Sequence, residues 1–303
     1  MSTQATPEIC SQVRRDIVRM VHAVSSGHPG GSLGCVELLV KLYFDEMQLD
    51  AENFTMDGKN EDLFFLSNGH ISPVWYSVLS RRGFFPTKEL ATFRKLNSRL
   101  QGHPATEEKL PGIRIASGSL GQGLSVGIGA ATTKKLAGEN TWVYTLHGDG
   151  ELQEGQIWEA AMYAAHNKID NIISFVDCNG QQIDGSTDDV LSLTDLGAKW
   201  SAFGWRVLKC DGHDLDELGR VIAEAKSHSG SGSFKFIVGG TSPCSIAMIV
   251  VITSTAPVAP SIFPNTDFGA DIATVLACSL KTALMARVSE TSPIFVAAPS
   301  RQM

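Results

Sequence analysis

The stretch that decides the fold of this chain reads Trp142-Val143-Tyr144-Thr145-Leu146-His147-Gly148-Asp149-Gly150. Its first five residues are apolar, β-branched or aromatic, a composition typical of a buried strand. Apolar residues then recur at helical spacing over 152–162, and a second strand-like run over 172–176 leads to Asp177-Cys178-Asn179. Because open α/β sheets bind ligands at the carboxyl ends of their strands, we expect the aspartate of the turn and the asparagine to lie together at such an edge.

The residues that follow these two strands offer the oxygen ligands that a hard cation prefers. Asp149 has a carboxylate, Asn179 an amide oxygen and Gln181 a backbone carbonyl, which together would fill three positions around Mg²⁺. Glycines on both sides of Asp149 let the backbone approach a phosphate, and the following helix N-terminus favours negative charge. A diphosphate and a water would complete the octahedron. The alternative is an ordinary Asp-Gly turn with an unrelated asparagine, but the strand–turn–helix context favours the cation site.

Composition and charge limit the classes of protein to which the chain can belong. Its 303 residues are 43% hydrophobic and 19% charged, which predicts a soluble globular protein of one large or two ordinary domains. A net charge of −7 argues against nucleic acid or an anionic membrane as the main partner. The polar N-terminus has no apolar signal region, and the longest apolar run, 246–252, is too short to span a bilayer. Six scattered cysteines without a Cys-x-x-Cys pair fit reduced thiols, so we expect a cytoplasmic location.

Strand-like and helix-like segments alternate through most of the chain. The amphipathic segment 7–24 predicts a first helix, and 33–47 predicts a second helix after a glycine-rich loop. The strand-like runs lie at 62–67, 142–146, 172–176, 205–210 and 234–238. This alternation predicts an α/β fold with a parallel sheet covered by helices on both faces.

The character of the sequence changes at about residue 239. Charged residues fall to about half their average density, and Pro, Ser, Thr, Ala and Ile crowd together without a clear period. We therefore predict a first domain over 1–238 and an atypical low-charge tail over 239–303, with one helix over 270–288. The tail is either a substituted segment or the translation of a shifted reading frame. We expect the fold to survive its removal, although the apolar run 246–252 would promote aggregation if it were exposed.

Histidines in glycine-flanked loops are the candidates for contact with a ligand. They are His28, His70 and His103, and a neutral or charged imidazole can donate to phosphate or sugar oxygens. Each alone could be a solvated loop histidine, but three such loops at the ends of predicted elements favour a shared pocket. His147 could belong to the site by adjacency to the turn, whereas His166 lies on a predicted helix and is expected to be structural.

The glycine-rich segment 117–123 leads into a helix rich in small residues. It contains Gly121-x-Gly123, but the third glycine falls at Gly127, one residue too late for a dinucleotide-binding fingerprint. A dinucleotide fold is therefore disfavoured, and a cradle for a phosphate or cofactor is the better interpretation.

Six short motifs follow one another along the chain. They are Ser26-Gly27-His28-Pro29-Gly30-Gly31, Leu66-Ser67-Asn68-Gly69-His70, Gly102-His103-Pro104, Gly118-Ser119-Leu120-Gly121-Gln122-Gly123, Gly148-Asp149-Gly150-Glu151-Leu152-Gln153-Glu154-Gly155, and Asp177-x-Asn179 with Ile183-Asp184-Gly185. These motifs and their order resemble those of transketolases, and the resemblance covers roughly residues 8–233. Over this range the chain resembles the diphosphate-binding half of transketolase, which split transketolases encode as a separate N-terminal subunit.

The resemblance implies a thiamine diphosphate-dependent transferase of the pentose phosphate pathway that moves a two-carbon ketol unit between phosphorylated sugars. It implies that Asp149, Asn179 and the carbonyl of Gln181 hold Mg²⁺ or another divalent cation. The residues implied to contact thiamine diphosphate are His70, Gly118, Leu120 and Gly150. His28 and His103 would meet the sugar as donors or proton shuttles, and Glu154 would join the interface network that supports cofactor activation.

Two departures from the family pattern leave alternatives open. No histidine occurs after His228, where family members have a Trp-His-Gly or similar segment, and nothing resembles the pyrimidine-binding domain that carries the activating glutamate. We therefore expect a partner chain that supplies this domain in a homo- or hetero-oligomer, without nucleic acid or membrane. The alternatives are a catalytically inactive truncated or divergent copy that acts as a binding partner, and an enzyme like deoxyxylulose-phosphate synthase. The deoxyxylulose-phosphate synthases share the Gly-Asp-Gly turn, but the motif that ends at His70 fits transketolase better.

Overall fold

The computed structural model describes residues 5–227, together with the backbone of two further strands at 235–236 and 247–253. The strands are β1 (Leu63–Leu66), β2 (Val143–Gly148), β3 (Ile172–Cys178), β4 (Gln181–Gln182), β5 (Gly185–Ser186), β6 (Trp205–Asp211), β7 (Lys235–Phe236) and β8 (Ala247–Thr253). Six of them form one sheet in the order β1-β2-β3-β8-β6-β7, and β4 and β5 form a separate hairpin.

Most pairs in the large sheet are parallel. β1, β2 and β3 pair in parallel, with Leu63 opposite Val143 and Gly148 opposite Asp177, and β6 pairs in parallel with β7. β8 lies between β3 and β6 and is antiparallel to both. The predicted α/β fold with a parallel sheet and flanking helices is confirmed, with the addition of this one reversed strand.

The helices of the described residues cover the sheet, and loops connect them to the strands. They are α1 (Pro7–Val24), α2 (Pro29–Gly34), α3 (Val36–Lys41), α4 (Ser72–Arg82), α5 (Gly123–Leu136), α6 (Gly155–His166), α7 (Thr187–Leu191), α8 (Leu196–Ala202) and α9 (Leu215–Lys226). A π-helical turn follows at Leu42–Glu46, and 3-10 turns lie at Gly69–Ile71, Thr87–Thr92, Thr106–Glu108 and Gly150–Gln153. None of the helices in this part of the chain is long and apolar enough to cross a membrane.

The first predicted helix matches α1, which begins after Thr6, whose side chain accepts a hydrogen bond from the Ile9 N–H. The second prediction, one continuous helix over 33–47, is wrong in detail. The chain forms α2, α3 and the π-helical turn instead, because Cys35 between α2 and α3 leaves helical geometry with φ −93° and ψ 14°.

The central strands are buried on both faces, as expected for a parallel sheet between helices. Consecutive residues Val143 and Tyr144 of β2 are both inaccessible to solvent, as are Ile172 and Ile173 of β3. Such strands are apolar without alternation, which explains why they can be recognised in the sequence as continuous runs.

The domain boundary at 238 stays a prediction. The apolar run beyond it contributes β8, which pairs within the sheet. The helix predicted over 270–288 lies outside the described residues.

Candidate active site

The predicted metal ligands meet where β2 and β3 end. Gly148 lies opposite Asp177, and the Asp149 N–H donates to the Asp177 carbonyl at 3.0 Å, so the register of the strands carries on into the turn. The Asp149 carboxylate is only 4% exposed and accepts hydrogen bonds from the N–H groups of Gly150 (2.9 Å) and Gly180 (2.7 Å). The turn after β2 is thereby joined to the turn after β3.

Asn179 and the β4 strand complete this cluster. The Asn179 side chain donates to Asp177 Oδ2 at 2.9 Å, and its Oδ1 accepts from the Gln181 N–H at 2.9 Å. A Cβ atom added to Gly150 would lie 2.6 Å from the Gln182 Cβ and 3.5 Å from the Gln181 carbonyl oxygen, so only glycine lets the hairpin approach this closely. The structure therefore brings all three predicted ligands together, and their role in binding a cation remains a prediction.

The chemistry of this cluster fits a hard cation. Asp149 and Asp177 are both buried, and neither forms an ion pair with a basic side chain of the described residues. Burial raises the pKa of Asp149 to about 6. Burial, reinforced by the neighbouring Asp149 carboxylate, raises the pKa of Asp177 to about 7. Two buried carboxyls without a counter-charge are what a divalent cation bound through oxygen atoms would stabilise. In residues 5–227 no three His, Cys, Asp or Glu side chains form a metal cluster, so such a site would also need amide and carbonyl oxygens.

A buried glutamate, to which the sequence analysis assigned no role, holds the surrounding loops together. Glu151 is 3% exposed; its Oε1 accepts a short hydrogen bond from the Ser67 hydroxyl and one from the Gly121 N–H at 2.7 Å. Its Oε2 accepts from the Gly148 N–H at 3.2 Å and lies 3.6 Å from His147 Nδ1. Burial disfavours the charge, but the nearby His147 and the hydrogen bonds from Ser67 and Gly121 outweigh it and lower the pKa of Glu151. One carboxylate thus links the end of β1, the loop before α5 and the turn after β2.

Glycines allow the loop over 117–123 to pack closely against the end of β1. A Cβ atom added to Gly69 would overlap the carbonyl oxygen of Ser117, and one added to Gly123 would overlap the Ser67 side chain. The Ser117 hydroxyl and the Asn68 side-chain oxygen are buried here without a hydrogen-bond partner. Polar atoms of this kind, next to backbone that approaches closely, fit a polar cofactor.

The predicted cofactor contacts lie around this loop. Leu120 accepts a hydrogen bond from Gln156 Nε2 through its carbonyl at 3.2 Å, and a Cβ added to Gly118 would lie 3.8 Å from the His103 Cβ. Glu154 is exposed where α6 begins, and its Cβ would lie 3.0 Å from a Cβ added to Gly121. The roles assigned to these residues stay predictions.

The three loop histidines lie near one another. The rings of His28 and His70 meet edge to face, with centroids 4.9 Å apart. Burial, together with the neighbouring His28, lowers the pKa of His70 to about 4. Burial and the charge of Arg94 lower the pKa of both His28 and His103. All three imidazoles are therefore neutral at pH 7, and each can both donate and accept a hydrogen bond.

Two further histidines, His147 and His166, differ from these three. His147 is fully buried beneath the turn, where Nε2 lies 3.0 Å from the Thr145 hydroxyl. His166 is exposed in the last turn of α6. Neither ring belongs to the group formed by His28, His70 and His103.

A family model of the transketolase thiamine diphosphate-binding domain matches residues 6–252. The chain belongs to the transketolase family. The prediction of an N-terminal transketolase subunit is thereby confirmed, as are the transferase class and the thiamine diphosphate-binding domain.

Similar proteins of comparable length carry subunit names. The chain is 38% identical over 221 residues to the 6-deoxy-6-sulfo-D-fructose transketolase subunit SqwG of Clostridium sp. (strain MSTE9), covering 73% of this chain and 79% of that protein. It is 39% identical over 211 residues to an apulose-4-phosphate transketolase subunit of Phocaeicola vulgatus, covering 69% and 73%.

Solved transketolase structures share the fold over a longer polypeptide. The enzyme of Leishmania mexicana superposes with a TM-score of 0.70 at 29% identity, and that of Pichia stipitis in complex with sedoheptulose-7-phosphate with 0.69 at 32%. In both comparisons the match covers 75% of this chain but 35% of the solved one. The chain therefore corresponds to about a third of these longer transketolases.

Proposed function

We propose that this chain is the cofactor-binding subunit of a two-chain transketolase that transfers a two-carbon ketol unit between phosphorylated sugars in the pentose phosphate pathway of the cytoplasm. The observation that carries the proposal is one continuous set of contacts. Glu151 joins the loop over 117–123 to the turn of Asp149, and the same loop adjoins His70 through Gly69 and His103 through Gly118. These contacts support a single site that contains both the acidic cluster and the histidines.

In this proposal the acidic cluster binds the diphosphate end of the cofactor. Asp149, Asn179 and the Gln181 carbonyl would hold Mg²⁺ or another divalent cation, and the cation would bind the diphosphate. The residues that would contact thiamine diphosphate are His70, Gly118, Leu120 and Gly150. When bound, the cofactor supplies the carbon that carries the two-carbon unit.

The contribution of the histidines is to orient the sugar and to move protons at its oxygens. Because the pKa values of His28 and His103 are lowered, each ring has one donor and one acceptor nitrogen at neutral pH. A neutral imidazole can accept a proton from a sugar hydroxyl and return it, which is general acid–base catalysis. Burial lowers the pKa of His70 to about 4, so this ring would also be neutral at pH 7.

The partner in this proposal is a second chain that carries the pyrimidine-binding domain and its activating glutamate. Glu154 is exposed at the beginning of α6 and would contact that partner. The names of the similar subunits support a partner of this kind.

Cofactor-dependent stabilisation tests the proposal in the presence of the partner chain. We expect thiamine diphosphate with Mg²⁺ to raise the melting temperature of the wild-type complex, and Asp149→Asn to abolish that increase because the cation loses its anionic ligand. The matched control is Asp216→Asn, which neutralises an exposed aspartate in the first turn of α9. Equal increases for wild type and Asp149→Asn would show that the metal assignment is wrong.

Turnover distinguishes the active subunit from the inactive-copy alternative. The isolated chain should show no ketol transfer from a ketose phosphate to an aldose phosphate, because cofactor activation needs the partner's glutamate. The reconstituted pair should show transfer. A pair that is stabilised by the cofactor but does not turn over would favour the inactive copy, whereas turnover by the isolated chain would refute the division of the site between two chains.

A further inference from the structure

Arg94 occupies an unusual position between the loops of two histidines. It follows Phe93 just after the 3-10 turn Thr87–Thr92, and its backbone has a left-handed φ of +54°. Its N–H donates to the Leu100 carbonyl at 2.8 Å, which holds the local loop in this conformation. A left-handed backbone at a residue other than glycine carries a conformational cost.

The Arg94 guanidinium contacts both histidine loops. Nη1 donates to the Ser26 hydroxyl at 2.8 Å, two residues before His28. On the other loop, a Cβ added to Gly102 would lie 2.8 Å from the guanidinium carbon and Nη2, so the group lies directly against the residue that precedes His103. The guanidinium carbon is also 5.5 Å from the centre of the Phe93 ring. A single side chain therefore spans the two loops.

Arg94 also differs from its neighbour Arg99 in its electrostatic partners. Arg99 forms an ion pair with Glu89 at 2.9 Å, whereas no carboxylate of residues 5–227 pairs with Arg94. Its charge is therefore not neutralised locally, and its Nε is buried without a hydrogen-bond partner.

The charge acts on both imidazoles. Burial has the largest effect in lowering the pKa of His28 and of His103, and the positive charge of Arg94 has the next largest. The other titratable groups near them are His70, which faces His28, and Tyr76, which is close to Arg94. Of these neighbours, Arg94 alone is charged at neutral pH.

We propose that Arg94 is a positioning residue that fixes the loops of His28 and His103 relative to each other, so that the two imidazoles act on the same sugar. The inference rests on the proposed function, since it presupposes that these histidines meet the substrate. Arg94 lies outside the motifs described above, and both its charge and the length and shape of its side chain should matter for the reaction with the sugar.

Histidine titration of the chain alone tests the charge, without cofactor or partner. The measurement is the NMR pH titration of the imidazole signals, assigned with His28→Gln and His103→Gln. In Arg94→Gln both rings should titrate at a higher pH than in wild type, whereas Arg94→Lys should keep them near the wild-type values. The control Arg99→Gln, five positions along the same segment, should leave both titrations unchanged. Unchanged titrations in folded Arg94→Gln would overturn the inference.

Kinetics of the reconstituted pair test whether the length and shape of the Arg94 side chain matter. Lysine keeps the charge but cannot hydrogen-bond to Ser26 while lying flat against Gly102, so kcat/KM for the sugar should fall by about tenfold or more in Arg94→Lys. The KM for thiamine diphosphate should not change, and Arg99→Gln should retain wild-type kinetics. Wild-type kcat/KM in Arg94→Lys would overturn the positioning role. If Arg94→Gln does not fold, Arg94→Lys decides the matter. If the titrations shift but the wild-type pair is inactive, the proposed function fails and the electrostatic part of the inference stands.

Discussion

Truncation of Glu151 to alanine should destabilise the chain severely even in the absence of any ligand. The carboxylate accepts hydrogen bonds from the Ser67 hydroxyl and from the N–H groups of Gly121 and Gly148. Removing it leaves two backbone N–H groups without acceptors in a buried region, at a cost of about 1–3 kcal/mol each. Loss of one member of a buried charged network commonly costs about 3–5 kcal/mol. Because these contributions overlap, we expect a total loss of about 3–5 kcal/mol in the free energy of unfolding.

Urea unfolding at neutral pH measures this loss. The control is Glu159→Ala, which removes an exposed glutamate from α6 and should change stability by no more than about 0.5 kcal/mol. Glu151→Gln should fall between the two, since its amide oxygen can still accept hydrogen bonds while its NH₂ group faces the Gly148 N–H. A loss below about 1 kcal/mol for Glu151→Ala, with an unchanged m-value, would refute the role of this carboxylate in joining the three loops.

Three further predictions concern packing, pH and the chain beyond 238. Gly123→Ala should destabilise the chain by several kcal/mol, because its Cβ would overlap the Ser67 side chain. Gly129→Ala lies in the same helix with open space around it, so it should be neutral or stabilising by up to about 1 kcal/mol. Thermal melting of both variants compares them directly. The pKa of Asp177 is raised from an ordinary 3.8 to about 7, so between these pH values the folded chain holds a proton that the unfolded chain has released. The free energy of unfolding should therefore fall as pH rises from 4 to 7. Asp177→Asn should flatten that slope in urea titrations, and an unchanged slope would contradict the prediction. A chain that ends at 257, the limit of the first compact unit, keeps β8. It should therefore melt at a higher temperature than a chain that ends at 238. Equal melting temperatures would favour the prediction that the fold survives removal of the tail.

Continuous apolar runs and the turn between them were sufficient to predict the sheet and the place of the site. The strands around 142–146 and 172–176 are buried on both faces, so their composition alone identified them. The cluster of Asp149 and Asn179 followed because parallel strands end at the same edge. The run at 246–252 was equally apolar, but no strand–helix alternation surrounded it, and an isolated run does not reveal which strands it will join.

Contacts between residues distant in sequence could not be predicted. Glu151 accepts from the Gly121 N–H across 30 residues, and Arg94 donates to Ser26 across 68. Such contacts leave no periodic pattern, because a single charged side chain between loops looks the same in a sequence whether it is solvated or buried. The remaining clue was weak: Glu151 lies one residue after a glycine turn, where a carboxylate can reach backbone N–H groups.

The buried pair Asp149 and Asp177 makes any cation that binds there a competitor of protons. Near neutral pH, with pKa values of about 6 and about 7, a fraction of the molecules carries a proton on this pair, and a dication must displace it. Binding should therefore release protons into the medium, and the heat of binding should vary with the ionisation enthalpy of the buffer. For the same reason, the apparent affinity for such a cation should fall as the pH falls.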